Sequence, residues 1–229
     1  MKTFKVLSAL LSYPTEDLVA AMPAIDEVLH GEGLLGPCRL QDLTPLLERL
    51  ATEDLYDLQE RYVLLFDRSR TLSLNLFEHV HGEGRDRGGA MVDLLETYRT
   101  GGMDLAATEL PDHLPVLLEY LSTRPLAEAR AMLADAGHIL GVLSERLDRR
   151  DAPYAAVLSA LVALSETDCE PTAELAQIPD DNPEDLAALD AVWAEAQVVF
   201  GPDPNAGCPV SRDLLARMDP RAPVAATAQ

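Results

Sequence analysis

Two histidines, His79 and His81, sit between Glu78 and Glu83 and just ahead of Arg85, Asp86 and Arg87. Imidazoles and carboxylates hold metal ions, and arginines beside glycines hold phosphates, so this segment concentrates more usable chemistry than any other. Spacing argues against both. Residues two apart on a helix point about 160° away from each other, and no His-x-x-x-His pair is present. Gly82-Glu-Gly-Arg-Asp-Arg-Gly88 spaces its glycines GxGxxxG rather than GxGxxG, no strand pattern precedes it, and the chain has no Gly-Lys-Ser/Thr. A small anion at Arg85 and Arg87, or a hinge between two helices, is what the loop leaves open. Ser73 lies in no G-x-S-x-G elbow, and Cys38, Cys169 and Cys208 are far apart and form no close pair. The segment therefore predicts no catalytic residue and no metal site.

The same region reads better as a surface for a protein partner. Tyr62 and Phe66 share a helical face with Leu58, and Phe77 and Val80 follow on the next apolar run. Glu60, Asp67, Glu78 and Glu83 stand beside them and would be costly to bury unpaired. A groove with an apolar floor and an acidic rim resolves that conflict and suits an amphipathic helix carrying Arg or Lys. Burying ~400 Å² of apolar surface there supplies ~10 kcal/mol before ordering and association costs. His79 and His81 would add polar contacts at its edge and make binding pH dependent. Arg68, Arg85 and Arg87 do not suit a basic peptide. They are expected either to pair with Asp67 and Asp86 or to form a second partner- or cofactor-facing surface.

The elements that position these residues are helices. Leu and Ala dominate, aromatic residues are scarce, and no repeated strand-length alternation occurs, which predicts one all-α bundle of about seven to nine helices. Phe4, Leu7, Leu10 and Leu11 mark the buried stripe of a first helix. Thr15 caps a second, with Pro23 bending or interrupting it; Thr44-Pro45 and Thr52 open the next two. Gly82, Gly84, Gly88 and Gly89 interrupt the pattern before Ala90–Tyr98, and Gly101-Gly102 stops it. Pro115 is either a kink or a helix start. A long helix is expected from Arg124 to Arg149, then one opened by Pro153, an acidic loop over 168–183 and a last short helix to about 196. Residues 1–210 would form the folded domain and 211–229 a flexible tail.

Charge narrows the partner classes. Thirty-nine acidic residues against 18 basic ones give a net charge of -21, and no Lys or Arg falls between Arg150 and Arg212. Such a field repels nucleic-acid phosphates and anionic membranes and favours cationic polypeptides, although acidity also serves solubility. The run from Val6 to Leu11 after Lys2 and Lys5 is too short and too early interrupted for a secretory signal, and no run reaches the ~20 apolar residues of a membrane span. A cytoplasmic protein is expected.

Several stretches carry a family resemblance. Glu60-Arg-Tyr-Val-x-Leu-Phe-Asp-Arg68, Leu72-Ser-Leu-x-Leu-Phe-Glu-His-Val-His-Gly-Glu83 and Arg85-Asp-Arg-Gly-x-Ala-Met-Val-Asp93 resemble the NarJ family, within the TorD/DmsD class of redox-enzyme maturation proteins. Glu109-Leu-Pro-Asp-His-Leu-Pro-x-x-Leu-Glu119 extends the match, with weaker marks at Leu11-Ser-Tyr-Pro14 and around Trp193. Gly84 and Gly89 depart from the family's usual Ser and Gln. The resemblance implies an all-helical cytoplasmic chaperone, non-catalytic and absent from the mature enzyme. It would bind the N-terminal segment of the apo nitrate reductase α subunit and promote insertion of molybdopterin guanine dinucleotide before the αβ complex docks on its membrane subunit. It also implies contact with molybdenum-cofactor biosynthesis proteins, at most transient contact with the cofactor itself, and a monomer or weak dimer. A peptide-binding accessory to another molybdoenzyme, or an enzyme with an unrecognised site, stays open as the alternative.

Overall fold

Helical periodicity and frequent prolines cut the chain into short helices rather than a few long ones. The computed structural model describes residues 1–81, 85–105 and 109–166. All of these lie in one compact unit. The expected helix near 183–196 and the tail fall outside the described residues.

Among the described residues there are eleven α-helices and no strand. In order they are α1 (Lys2–Leu10), α2 (Glu16–Ala20), α3 (Met22–Glu32), α4 (Pro37–Thr52), α5 (Leu55–Tyr62), α6 (Leu76–His81), α7 (Arg85–Thr100), α8 (Leu114–Ser122), α9 (Leu126–Asp135), α10 (Gly137–Arg149) and α11 (Ala155–Ser165). A π-helical turn, Val63–Asp67, extends α5, and a 3-10 turn, Arg70–Leu72, comes after it. The all-α expectation holds, with more helices than the seven to nine expected. The 124–149 run is one reason: it breaks at Ala136-Gly137 into α9 and α10. Pro23 is another, since it sits in the first turn of α3 and separates that helix from α2.

Two helix starts differ from expectation. Thr44-Pro45 opens nothing: α4 begins at Pro37 and runs through Pro45. Gln41 and Pro45 are both exposed, so the carbonyl that loses its N–H partner lies on the outer face, where solvent can satisfy it. Asp54, not Thr52, caps α5, its carboxylate accepting from the Tyr56 N–H at 2.9 Å; Thr52 instead donates back to the Glu48 carbonyl at 2.7 Å. Gly88 and Gly89 lie inside α7 and interrupt nothing. Thr15 caps α2 as expected, accepting from Leu18 N–H at 3.2 Å.

The core forms where the stripes meet. α1 buries Phe4, Leu7 and Leu10 against α8, which contributes Leu114, Leu118 and Leu121, and α10 packs on α11 through Leu140, Leu143, Leu158 and Leu161. Each such side chain contributes about 1.5–3 kcal/mol on burial. Ser8, polar in the middle of the α1 stripe, donates to the Pro115 carbonyl at 2.6 Å and so ties α1 to the start of α8. At the end of α7, Gly101 is demanded by packing, because a Cβ there would meet the Tyr120 ring at 2.5 Å. Gly102 takes φ +82°, which ends the helix.

Candidate functional site

The chain leaves a cleft where the π-helical turn faces the segment before α8. A π turn inserts one residue into the helical register and so rotates the side chains after it. Here it buries Phe66 and leaves Asp67 exposed at the cleft wall. The main part of the cleft has a volume of about 780 Å³. A smaller lobe of about 240 Å³ shares Tyr62, Asp67, Glu109 and His113 with it and adds Phe66, Leu74, Asn75 and Leu110.

Its walls separate by chemistry. Tyr13, Tyr62, Met103 and Val116 supply the larger lobe with apolar and aromatic surface. Asp67, Asp104, Glu109 and Glu119 supply carboxylates, and no Lys or Arg is among the described lining residues, although Lys5 reaches Glu119 at 3.7 Å and Arg99 reaches Asp104 at 4.0 Å from outside them. Tyr13 and Leu110 are among the few large apolar residues left exposed, at 46% and 40%. Beneath them Tyr62 donates its hydroxyl to the Leu11 carbonyl at 2.9 Å and packs on Phe66 at 4.9 Å between ring centroids. Tyr13 meets Tyr62 edge-on at 5.6 Å.

Titration in the cleft is governed by burial. Burial pushes the Asp67 carboxyl above its usual range, with Glu109 adding to the effect and His113 opposing it. Burial holds the His113 imidazole below its ordinary value, although Glu109, Asp112 and Asp67 pull the other way. The His113 Nδ1 lies 3.2 Å from the Asn75 side-chain oxygen, to which it donates.

The motif around Glu78 does a different job. Asn75 and His113 form an isolated antiparallel bridge; Leu114 N–H donates to the Leu74 carbonyl at 2.9 Å and Leu76 N–H to the Asp112 carbonyl at 3.1 Å. These bonds lock the start of α6 to the start of α8. Asp112, 1% exposed, accepts from Phe77 N–H at 3.0 Å, and burial pushes its carboxyl above the usual range. Glu78 pairs with Arg87 at 3.1 Å and lies 3.4 Å from the Asn75 amide nitrogen. Burial would raise its pKa, but Ser73, Asn75 and Arg87 outweigh burial and hold it below the usual range. His79 Nε2 donates to the Ser73 carbonyl at 2.8 Å, and burial lowers its pKa.

The expected site residues therefore divide. Tyr62, Phe66 and Asp67 line the cleft. Phe77, Glu78 and His79 are half-buried beside it, Phe77 tied to Asp112 ahead of α8, Glu78 to Arg87 of α7 and His79 to the Ser73 carbonyl. Glu60, Arg68, Val80 and Asp86 are exposed and outside its described walls. Arg87 takes Glu78 rather than the Asp86 expected for it. His81 closes α6 and Arg85 opens α7, their side chains lying outside what is described, as does all of Glu83. Sequence reasoning missed Tyr13, Glu109, His113 and Val116 as cleft residues, although they fall within or beside two stretches that carry the family resemblance. It also missed Arg146, only 1% exposed, which donates to the Thr71 carbonyl at 2.8 Å and holds the turn before α6. No group of three His, Cys, Asp or Glu side chains is arranged to hold a metal among the described residues, and none of their helices is long and apolar enough to cross a membrane.

Comparisons with known proteins place this all-helical chain in a family. The family model described as nitrate reductase delta subunit matches residues 37–160. The nitrate reductase molybdenum cofactor assembly chaperone NarJ of Escherichia coli K12 is 43% identical over 203 residues, covering 88% of this chain and 86% of its own. A probable chaperone of the same description, NarW of that strain, is 39% identical over 209 residues, 91% and 87% of the two chains. A probable NarJ chaperone of Bacillus subtilis is 31% identical over 165 residues, 72% and 88% of the two chains. The chain belongs to the nitrate reductase delta-subunit family of NarJ-type molybdenum cofactor assembly chaperones.

Proposed function

We propose that this chain is the assembly chaperone of a respiratory nitrate reductase, and that it holds the N-terminal segment of the apo α subunit in the cleft between the π-helical turn and α8. The observation that carries this reading is the pairing of an aromatic floor with four carboxylates and no described basic residue in the walls. An amphipathic helix would lay its apolar face on Tyr13, Tyr62 and Val116 and its Arg or Lys toward Asp67, Glu109 and Glu119. Phe77, Glu78 and His79 would support the floor through the α6–α8 junction, while Glu60, Val80, His81 and Glu83 extend the contact beyond it. The role is stoichiometric and non-catalytic, carried out in the cytoplasm by a monomer or weak dimer. It ends in insertion of molybdopterin guanine dinucleotide into the partner, with Arg68, Arg85, Asp86 and Arg87 facing the partner or its cofactor.

A synthetic peptide of the first ~15–30 residues of that α subunit, long enough to form a helix, tests the proposal. Calorimetry is expected to give one site per chain. Affinity should fall as salt rises and then level off at a salt-resistant remainder from apolar burial. No heat and no chemical-shift change at ~1 mM peptide, the weak limit of specific binding, would overturn it.

A further inference from the structure

A second pocket opens on another side of the same π-helical turn. Leu64 and Leu65 of the turn line it, together with Leu46 and Leu58, and Pro153 and Tyr154 close it from the loop before α11. Its volume is about 250 Å³ and its walls are mainly apolar. Arg49, Arg61 and Arg150 stand around it, with one carboxylate, Asp151, among them.

Three arginines at one apolar pocket are conspicuous in a chain of 18 basic and 39 acidic residues. Arg49 and Arg61 both turn to one carboxylate, Glu53, Arg49 at 4.0 Å and Arg61 in a shorter contact. Arg49 and Arg61 share one carboxylate, and Arg150 and Asp151 in the lining add one charge of each sign, so one guanidinium is in excess; the Arg49 and Arg61 side chains are both 46% exposed. The cleft described above has the opposite sign. The two are built on one aromatic cluster: Tyr154 in the pocket wall meets Phe66 at 5.1 Å and Tyr62 at 6.2 Å, both edge-on. Burial pushes the Tyr154 hydroxyl up to about 12, so this wall stays uncharged.

We propose that this pocket docks an acidic polypeptide segment, which seats one large apolar side chain between Leu58, Leu64 and Tyr154 and lays flanking carboxylates on Arg49 and Arg61. The volume lies below the ~300–1,000 Å³ of sites that enclose a small-molecule ligand, but suits a single anchoring side chain of the kind that dominates protein interfaces. Guanidiniums at the mouth select carboxylates, which they bind in bidentate, charge-assisted geometry. The excess positive charge repels the basic segment that suits the cleft, so the two sites take chemically opposite segments.

The test uses the full chain, ¹⁵N-labelled, and the peptide acetyl-Glu-Asp-Phe-Asp-Glu-amide. At ~1 mM peptide, within reach of weak binding, shifts are expected to cluster at Leu58, Leu64, Leu65 and Ala152. Alanine in place of the peptide's phenylalanine, or lysines in place of its acids, should weaken binding at least about tenfold. Arg49→Gln with Arg61→Gln should do the same while the circular dichroism stays unchanged; the single variant Arg61→Gln, expected to lose several-fold, serves if the pair fails to fold. Absence of shifts, shifts elsewhere, or binding unaffected by the Arg→Gln changes overturns the assignment. Saturation of the same amides by decanoate with the peptide silent also overturns it, in favour of a small amphiphile.

Discussion

The cleft and the arginine-rimmed pocket differ in charge while sharing a wall. One takes Phe66 and Asp67 from the π-helical turn, the other Leu64 and Leu65, and Tyr62, Phe66 and Tyr154 fill the space between. One surface carries four carboxylates and no described base in its walls, the other three arginines and one carboxylate, Asp151. The segregation teaches that the acidity of this chain is placed as well as plentiful. A π turn makes such placement economical in residues, since consecutive side chains are sent to two surfaces by one change of register.

The comparison breaks most completely at the shared wall. Phe66→Ala removes the ring that both Tyr62 and Tyr154 pack on. A loss of about 3–5 kcal/mol of stability is expected, and urea unfolding measures it; affinity should fall at both sites. Retention of either site at full affinity in the folded variant would show that the cluster is not common to them. Glu78→Gln should be next in size. It loses the charge-assisted bond to Arg87, about 1–2 kcal/mol after partial solvent screening. Because Glu78 braces α6 against α7 rather than lining the described cleft, peptide affinity should change little. A large loss of affinity at unchanged stability would return Glu78 to the rim.

Legibility divides along the same line. The helix stripes were readable because they depend on local spacing: Phe4, Leu7, Leu10 and Leu11, or Leu140, Leu143 and Leu147, are buried as a 3.6-residue period requires. Tyr62 and Phe66 were read as floor for the same reason. Pro45 was misread because a proline is a helix start or an interior residue depending on whether its carbonyl partner faces water, which neighbouring residues do not reveal. Glu78 was read as a rim charge because apolar neighbours make a carboxylate look stranded; Arg87, nine residues on, became its partner only when α6 and α7 folded together. His113 and Glu109 entered the cleft through the bridge between Asn75 and His113, a contact with no local signature.

Charge removal in the cleft should sharpen the contrast without touching the fold. Asp67 and Glu109 are exposed, so Asp67→Asn with Glu109→Gln should leave the unfolding midpoint nearly unchanged. Affinity for the basic peptide should drop about tenfold, ~1.4 kcal/mol, and the salt dependence measured by calorimetry should flatten. Binding of the acidic peptide to the other pocket should hold steady or strengthen slightly. Full basic-peptide affinity in this double variant would mean that the carboxylates serve solubility alone.

The smallest expected effect is that of pH, and its sign differs between binding and stability. His79 and His113 are both held below the ordinary 6.5 by burial. The unfolded chain therefore takes up protons that the folded chain refuses, so their stabilising contribution is complete above 6.5. It is lost as pH falls from that value through the lowered folded-state values. Asp67 and Asp112, raised above 3.8 by burial, run the opposite way: they hold protons in the folded state, and acid relieves their cost. In the cleft the two kinds of group act together. As pH falls, His113 moves toward a positive charge while Asp67, held above its usual range, moves toward losing its negative one. Affinity for the basic peptide should accordingly weaken as pH falls below 6.5. The arginine-rimmed pocket has no histidine among its described lining residues, so acidic-peptide binding should change less as pH falls. Calorimetry in buffers of different ionisation enthalpy would detect the proton released to solvent on basic-peptide binding, and His113→Gln should reduce that release. An unchanged release in His113→Gln would move the pH dependence to the carboxylates alone.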